Sequence, residues 1–186
     1  MIKRVFSFIR ARLRKIILEE IWLDDYIKRG MKVGENCSIQ PRCIFDYSHC
    51  HLISIGNNVT LAPEVYILAH DASTKGKLDY TKIGNVIVED NVFIGARSII
   101  MPGVIIGESS IIGAGSLVTK SIPKNSVAVG NPAKVICTYE DYISKEINKM
   151  KSSEIFDESF ICNKTINVEK NEEMIERLGK NIGYMK

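Results

Sequence analysis

The sequence predicts a mainly β fold, a parallel β-helix built from six-residue repeats. Between residues 88 and 118 an aliphatic residue stands at every sixth position: Val88, Ile94, Ile100, Ile106, Ile112 and Val118. Four positions after each of these comes a small or β-branched residue: Val92, Ser98, Val104, Ser110, Ser116 and Ile122. A six-residue period fits neither the helical repeat nor simple strand alternation, and hexapeptide repeats are typical of a β-helix. Three short strands then form one triangular coil of about eighteen residues, with the aliphatic residue inside and the small residue filling the remaining interior space.

Glycine follows the aliphatic residue in several repeats, at Gly95, Gly107 and Gly113. We expect these glycines at coil corners where the backbone needs a positive φ angle.

Composition limits the class of protein. The 186 residues suit one domain with modest extensions, and a net charge of +3 gives no argument for nucleic acid. Cys37 and Cys43 fall in the small interior position of the repeat, so free core thiols are expected in place of disulfides. Free thiols favour a reducing compartment, and the chain has neither a transmembrane run nor a signal-type apolar core. We therefore expect a cytoplasmic protein.

Residues 1–30 form the first predicted segment, a helix with apolar residues at helical spacing and a basic face in its first half. We expect this helix to dock on the solenoid. Weak contact with an anionic membrane surface is the alternative.

The second segment, residues 31–138, contains the predicted β-helix with two interruptions. The repeats begin at Val33, lose register over residues 46–54 and resume at Ile55, and a loop is predicted over residues 71–86. His49 and His51 lie in the first interruption, and two histidines one residue apart on a strand would face the same side. A metal is conceivable there, but no third ligand stands at a diagnostic spacing, so we predict none.

The third segment, residues 139–186, has helical and highly charged patterning. Ile143, Ile147 and Met150 are spaced as one face of an amphipathic helix, and a second short helix is expected over residues 172–178.

His70 is the main candidate for chemistry. It stands where the coil gives way to the second loop, and insertions in a solenoid commonly gather at its binding face. Since histidine changes charge near neutral pH, such a residue can serve as a general base.

Several motifs carry a family resemblance. They are Ile55-Gly56-Asn57-Asn58-Val59, Leu61-Ala62-Pro63, His70-Asp71, Val92-Phe93-Ile94-Gly95-Ala96, Pro102-Gly103-Val104, residues 112–120, Ile122-Pro123 and residues 130–134. Together they resemble the hexapeptide-repeat O-acetyltransferases, in particular the galactoside, maltose and capsular polysaccharide enzymes. The resemblance covers residues 33–135 and implies a left-handed β-helix and a homotrimer that binds acetyl-CoA between adjacent solenoids.

The resemblance also implies site residues. His70 matches the catalytic histidine, which removes a proton from the acceptor. The positions that match acetyl-CoA contacts are Phe93, Ala96, Gly113, Ala114, Thr119, Lys120 and Lys134, where Lys134 replaces a frequent arginine. Asp46 and Asp71 are our candidates for acceptor binding. Asp71, Glu64 or a backbone carbonyl could orient His70.

We therefore expect an acetyl-CoA-dependent O-acetyltransferase that acts on a sugar hydroxyl in surface polysaccharide synthesis, without a catalytic metal. An N-acetyltransferase of an amino sugar and a non-catalytic β-helix scaffold are the alternatives. Fold alone does not choose between them.

Overall fold

The computed structural model describes residues 22–161 and 167–186. The chain divides into two compact units, with the boundary after Tyr139. Most of the predicted N-terminal helix, residues 1–21, lies outside the described residues, and so does its predicted contact with a membrane. No helix among the described residues is long and apolar enough to span a bilayer.

The first unit is a left-handed parallel β-helix with three faces, which confirms the predicted fold class. Face A contains β1 (Lys32–Val33), β4 (Ile53–Ile55), β9 (Val86–Val88) and β12 (Ile105–Ile106). Face B contains β2 (Ser38–Ile39), β5 (Thr60–Leu61), β10 (Phe93–Ile94), β13 (Ile111–Ile112), β15 (Ser126–Gly130) and β16 (Ala133–Thr138). Face C contains β3 (Ile44–Phe45), β6 (Tyr66–Ile67), β11 (Ile99–Ile100) and β14 (Leu117–Val118). All pairings within these faces are parallel except that of β15 with β16. In each complete coil the chain passes from face A to face B and then to face C.

The interior of the prism follows the six-residue pattern. The side chains of Ile94, Ile100 and Ile106 are inaccessible to solvent, and each aliphatic position of the predicted repeat from residue 88 to 118 is buried. Ser98, Ser110 and Ser116 are buried as well, and each hydroxyl donates a hydrogen bond to a backbone carbonyl. A serine can therefore occupy the small interior position, because its hydroxyl group donates a hydrogen bond although it is buried.

The role predicted for the repeat glycines was wrong. Gly95, Gly107 and Gly113 do not have positive φ angles. A Cβ atom added at Gly95 would lie 2.4 Å from the backbone nitrogen of Ala114 in the next coil. Glycine at this position therefore allows the coils to stack closely. The positive φ angles of the corners fall two residues later, for example at Arg97.

Helix α1 (Leu23–Lys28) leads into the first coil. Its Tyr26 is buried, and the Tyr26 and Phe45 rings meet edge to face at a centroid distance of 5.2 Å. The described part of the N-terminal segment thus packs on the β-helix.

The predicted core thiols are present in this unit. Cys37 and Cys43 are partly buried against the core, and all the cysteines in the described part of the chain are free thiols.

The second unit begins in helix α3 (Tyr139–Met150), which confirms the first predicted C-terminal helix. It continues with β17 (Ile155–Phe156), a 3₁₀ turn (Glu158–Phe160), α4 (Val168–Leu178) and β18 (Tyr184–Met185). Helix α4 contains the second predicted helix and starts earlier, because the Asn167 side chain accepts a hydrogen bond from the Lys170 N–H and caps its N-terminus.

Candidate functional site

Both interruptions of the repeat leave the β-helix at the corner between faces C and A, in successive coils. The first, residues 46–52, follows β3 and includes a 3₁₀ turn (Cys50–Leu52). The second, residues 68–85, follows β6 and forms an arm in which β7 (His70–Asp71) pairs antiparallel with β8 (Lys82–Ile83), with a short helix α2 (Lys75–Leu78) between them. Because β3 and β6 are neighbours with Phe45 opposite Ile67, the residues that follow them are stacked on one another.

This stacking brings Asp46 and His70 together although they are 24 residues apart in sequence. Asp46 Oδ2 contacts His70 Nδ1 in a short hydrogen bond. The carboxylate is completely buried, whereas about a third (33%) of the His70 side chain remains exposed. The His70 side chain therefore faces solvent, while the carboxylate that it contacts is buried.

The other partners of Asp46 decide which nitrogen of His70 carries a proton. Oδ2 also accepts from the Ala69 N–H at 3.0 Å, and Oδ1 accepts from the His49 N–H at 3.0 Å and the Ser48 hydroxyl at 3.3 Å. Burial would raise the pKa of Asp46, but hydrogen bonds from His70 and from the His49 and Ala69 N–H groups outweigh it and lower that pKa below 3.8. An ionised carboxylate only accepts hydrogen bonds, so Nδ1 of a neutral His70 carries the proton and Nε2 has a free lone pair.

His49 completes this cluster. Its ring lies against the His70 ring, with centroids 4.9 Å apart, and its Nδ1 atom is buried with no hydrogen-bond partner among the residues that the structure describes. That nitrogen is 3.6 Å from Asp46 Oδ1. His51, which the sequence suggested as its companion, lies in the 3₁₀ turn with its ring centroid 6.2 Å from that of His49.

The two acidic residues considered as alternatives for orienting His70 have other partners. Asp71 is paired with Lys82 across the β7–β8 arm at 2.5 Å, and its pKa is lowered by that hydrogen bond. Glu64 binds Arg97 at 2.7 Å at the opposite corner, between faces B and C. The structure thus places Asp46, a residue predicted for the acceptor, beneath His70 instead. Acceptor binding by Asp71 stays a prediction.

The residues predicted to bind acetyl-CoA divide between the two edges of face C. Thr119 and Lys120 are exposed at the edge toward face A, the edge that also carries His70. Ala96 and Ala114 lie at the other edge, toward face B, in successive coils, where the Gly115 N–H donates to the Ala96 carbonyl at 2.8 Å.

The remaining predicted contacts lie on or beside face B. Phe93 is exposed on its outer surface, Gly113 precedes Ala114 at its edge, and Lys134 is exposed on β16. A single protomer therefore does not gather all of these residues around His70.

The outer surface of face C is apolar along its whole height. Ile44, Tyr66, Ile99 and Leu117 are paired in one row across β3, β6, β11 and β14. The corresponding rows on the other faces include polar residues, Lys32 and Ser54 on face A and Ser38 and Thr60 on face B. Face C is the one most suited to contact with another protein surface.

Comparison with known proteins agrees with this architecture. A family model described as the hexapeptide repeat of succinyl-transferase matches residues 85–120. Protein CapG of Staphylococcus aureus is 39% identical over 137 residues, which cover 70% of this chain and 79% of CapG. The galactoside O-acetyltransferase of Escherichia coli K12 is 36% identical over 133 residues, 59% of this chain and 64% of that enzyme. The crystal structure of a maltose O-acetyltransferase from Clostridium difficile 630 aligns with a TM-score of 0.51 at 31% identity, over 69% of this chain and 84% of that one.

The chain belongs to the hexapeptide-repeat acetyltransferases. The family predicted from the motifs is therefore confirmed. The chain spans from 45% to 64% of the length of several curated relatives, including the galactoside enzymes.

Proposed function

We propose that this protein is an acetyl-CoA-dependent O-acetyltransferase that transfers acetyl to a sugar hydroxyl, with His70 as the general base. The observation that carries the proposal is the pairing of a solvent-facing His70 with the buried, ionised carboxylate of Asp46. The chain's similarity to galactoside and maltose O-acetyltransferases supports the reaction and the class of acceptor.

The proposed reaction needs a base because a sugar hydroxyl is too weak an acid to attack a thioester unaided at neutral pH. Nε2 of His70 takes the hydroxyl proton as the oxygen attacks the thioester carbonyl carbon. The C–S bond then breaks, and the protonated His70 gives the proton to the leaving CoA sulfur. General base catalysis of this kind contributes about 10²- to 10⁴-fold.

Asp46 is a positioning residue in this mechanism. By accepting the Nδ1 proton it holds the ring in the tautomer that leaves Nε2 free, and its negative charge stabilises the imidazolium formed during attack. Its bonds to backbone N–H groups of both interruptions hold the carboxylate in place. Binding of the acceptor by Asp46 is not needed in this account, since its side chain is buried.

We also propose that the active form is a homotrimer with acetyl-CoA between adjacent β-helices. Two features support this. The outer surface of face C is a continuous apolar row, and four of the predicted acetyl-CoA contacts lie at its opposite edges, Thr119 and Lys120 at one and Ala96 and Ala114 at the other. Cyclic association of three copies would place the His70 edge of one protomer near the Ala96 edge of the next.

The trimer can be tested at Ile99, the centre of the apolar row. Ile99→Asp should convert the trimer to monomers, because three buried carboxylates would have no partners in the interface. Ile105→Asp is the matched control, since Ile105 is similarly exposed (41% against 36%) but lies on face A. Sedimentation equilibrium of the two variants gives the answer. A trimer in both, or a monomeric wild type, would contradict the proposed assembly.

The resemblance of the sequence motifs to capsular polysaccharide acetyltransferases favours an acceptor in surface polysaccharide synthesis. The free thiols favour a reducing, cytoplasmic location. The class of acceptor and the cellular location are both part of the proposed function.

The function is tested by following acceptor-dependent release of free thiol from acetyl-CoA against a panel of galactosides, maltose and amino sugars. We expect transfer to at least one neutral sugar and formation of an O-acetyl ester, identified by its lability to mild base. Transfer only to amino sugars would show an N-acetyltransferase. If calorimetry detects no binding of acetyl-CoA and no acceptor supports thiol release, the scaffold interpretation replaces the enzyme.

A further inference from the structure

The unpartnered Nδ1 atom of His49 is a feature that the transfer mechanism does not use. Within residues 22–161 and 167–186 this buried nitrogen has no hydrogen bond, yet it lies beside the ionised Asp46 carboxylate and the ring of His70. A buried polar atom without a partner is costly, so such an atom commonly indicates a missing ligand.

The three side chains offer a suitable set of metal ligands. One ligand atom from each of Asp46, His49 and His70 can be chosen so that all lie within 4.8 Å of one another. Tetrahedral zinc, with bonds of about 2.0–2.1 Å to nitrogen and oxygen, separates neighbouring ligand atoms by about 3.3 Å. The 3.6 Å between His49 Nδ1 and Asp46 Oδ1 is close to that value. A small rotation of the His70 ring away from Asp46 would bring its ligand nitrogen to a similar separation from the carboxylate.

The surroundings also suit a divalent cation. The buried carboxylate supplies one negative charge, and two neutral imidazoles add the nitrogen donors that zinc favours. The His49 and His70 side chains are each about a third exposed (31% and 33%), so an ion can enter and a water can fill the fourth position.

We propose that Asp46, His49 and His70 form an inhibitory zinc site, in which the metal competes with acetyl transfer for His70. A metal on Nε2 would occupy the lone pair that accepts the acceptor proton. A metal on Nδ1 would leave the proton on Nε2 and also separate the ring from Asp46. In both cases His70 stops acting as a base. Zinc binding is independent of the proposed function, whereas the inhibition rests on it.

His49→Gln tests the binding. It removes the ligand nitrogen but keeps the backbone N–H that binds Asp46, and His51→Gln is the matched control because His51 is exposed and outside the cluster. Zinc affinity is measured on the untagged, metal-free full chain by competition with a chromophoric chelator. Wild type and His51→Gln should bind one zinc ion at least about tenfold more tightly than His49→Gln, since even indirect support of a metal ligand is worth about 10–100-fold. Equal affinity in all three proteins would overturn the proposal.

Cysteine is the competing metal ligand in this chain, so the donor set is checked with Co²⁺. A site of nitrogen and oxygen ligands should give d–d absorption without the strong thiolate charge-transfer band in the near ultraviolet. A thiolate band that persists in His49→Gln would show that the metal is bound by cysteines and would contradict the proposal.

The inhibition is measured as the zinc dependence of thiol release in buffered free zinc. Each protein's rate is expressed relative to its own rate with zinc removed by a chelator, because the His49 ring lies against His70 and its replacement can change the basal rate. The half-inhibitory zinc concentration should be at least about tenfold higher in His49→Gln. If neither protein transfers acetyl without zinc, the proposed function fails while the difference in zinc affinity still decides the metal site.

Discussion

His70→Ala should lower kcat for acetyl transfer by about 10²- to 10⁴-fold, because it removes the group that takes the proton from the acceptor hydroxyl. The Kd of acetyl-CoA should stay within about twofold of wild type, since His70 acts on the acceptor and its loss does not change the residues predicted to bind CoA. The His70 side chain is partly exposed, so the truncation leaves a solvent-accessible space and the β-helix core is unaffected.

That accessible space permits chemical rescue of the variant. Imidazole in the buffer should enter beside Asp46 and restore part of the activity of His70→Ala, in proportion to the fraction of neutral imidazole as the pH is varied. His51→Ala, which alters an exposed histidine outside the cluster, should keep full activity and show no imidazole dependence. Full turnover in His70→Ala without imidazole would exclude His70 as the base.

Asp46→Asn should lower kcat by about 10²- to 10⁴-fold through the tautomer of His70. The asparagine carbonyl can accept from only one side, so its NH₂ group must face either the His49 N–H or the Ala69 N–H and His70. We expect the second orientation, because there the NH₂ group can donate to His70 Nδ1. The proton of His70 then moves to Nε2, which can no longer take a proton from the substrate. Binding of acetyl-CoA should be unchanged.

The role of Asp46 is separated from a structural one by NMR of ¹⁵N-labelled imidazole. In wild type at alkaline pH, where histidine is neutral, His70 should carry its proton on Nδ1, and in Asp46→Asn on Nε2. Loss of activity with an unchanged His70 tautomer would contradict control of the tautomer by Asp46 and leave its charge or its support of the fold as the cause.

The same variant has a defined effect on stability. Either orientation of the asparagine leaves two donors facing each other in a buried site, which should cost about 1–3 kcal/mol of unfolding free energy at neutral pH. The pKa of Asp46 is lower in the folded protein than its ordinary value of 3.8, so its ionisation stabilises the fold above that pH. This stabilisation is lost as pH falls through the lowered pKa. The difference in stability between wild type and Asp46→Asn should therefore shrink below about pH 3.8, as urea unfolding at several pH values can measure.

Much of the β-helix could be predicted from sequence because its coils repeat one local rule. Each aliphatic position from Val88 to Val118 points inward, and the serines four positions later occupy the remaining space. The error over Gly95 arose because both a positive φ angle and a close approach of backbones select glycine. Only the position of the neighbouring coil distinguishes the two causes.

The partner of His70 was harder to predict because it depends on how the coils stack. Asp46 directly follows Phe45, and Phe45 is opposite Ile67 in the next coil, which places Asp46 beside the start of the second loop. Counting one regular coil of about eighteen residues would have placed Asp46 beside Glu64 instead. The irregular length of residues 46–52 hides that register in sequence. The position of His49 depends on the backbone of the same interruption and follows no repeat at all.

The most direct test of the central claim is the initial rate of thiol release from acetyl-CoA at neutral pH, with and without maltose or a galactoside, for wild type and His70→Ala side by side. Acceptor-dependent release in wild type that falls at least about a hundredfold in the variant is the expected result. Equal acceptor-dependent rates in the two proteins would contradict the assignment of His70 as the base.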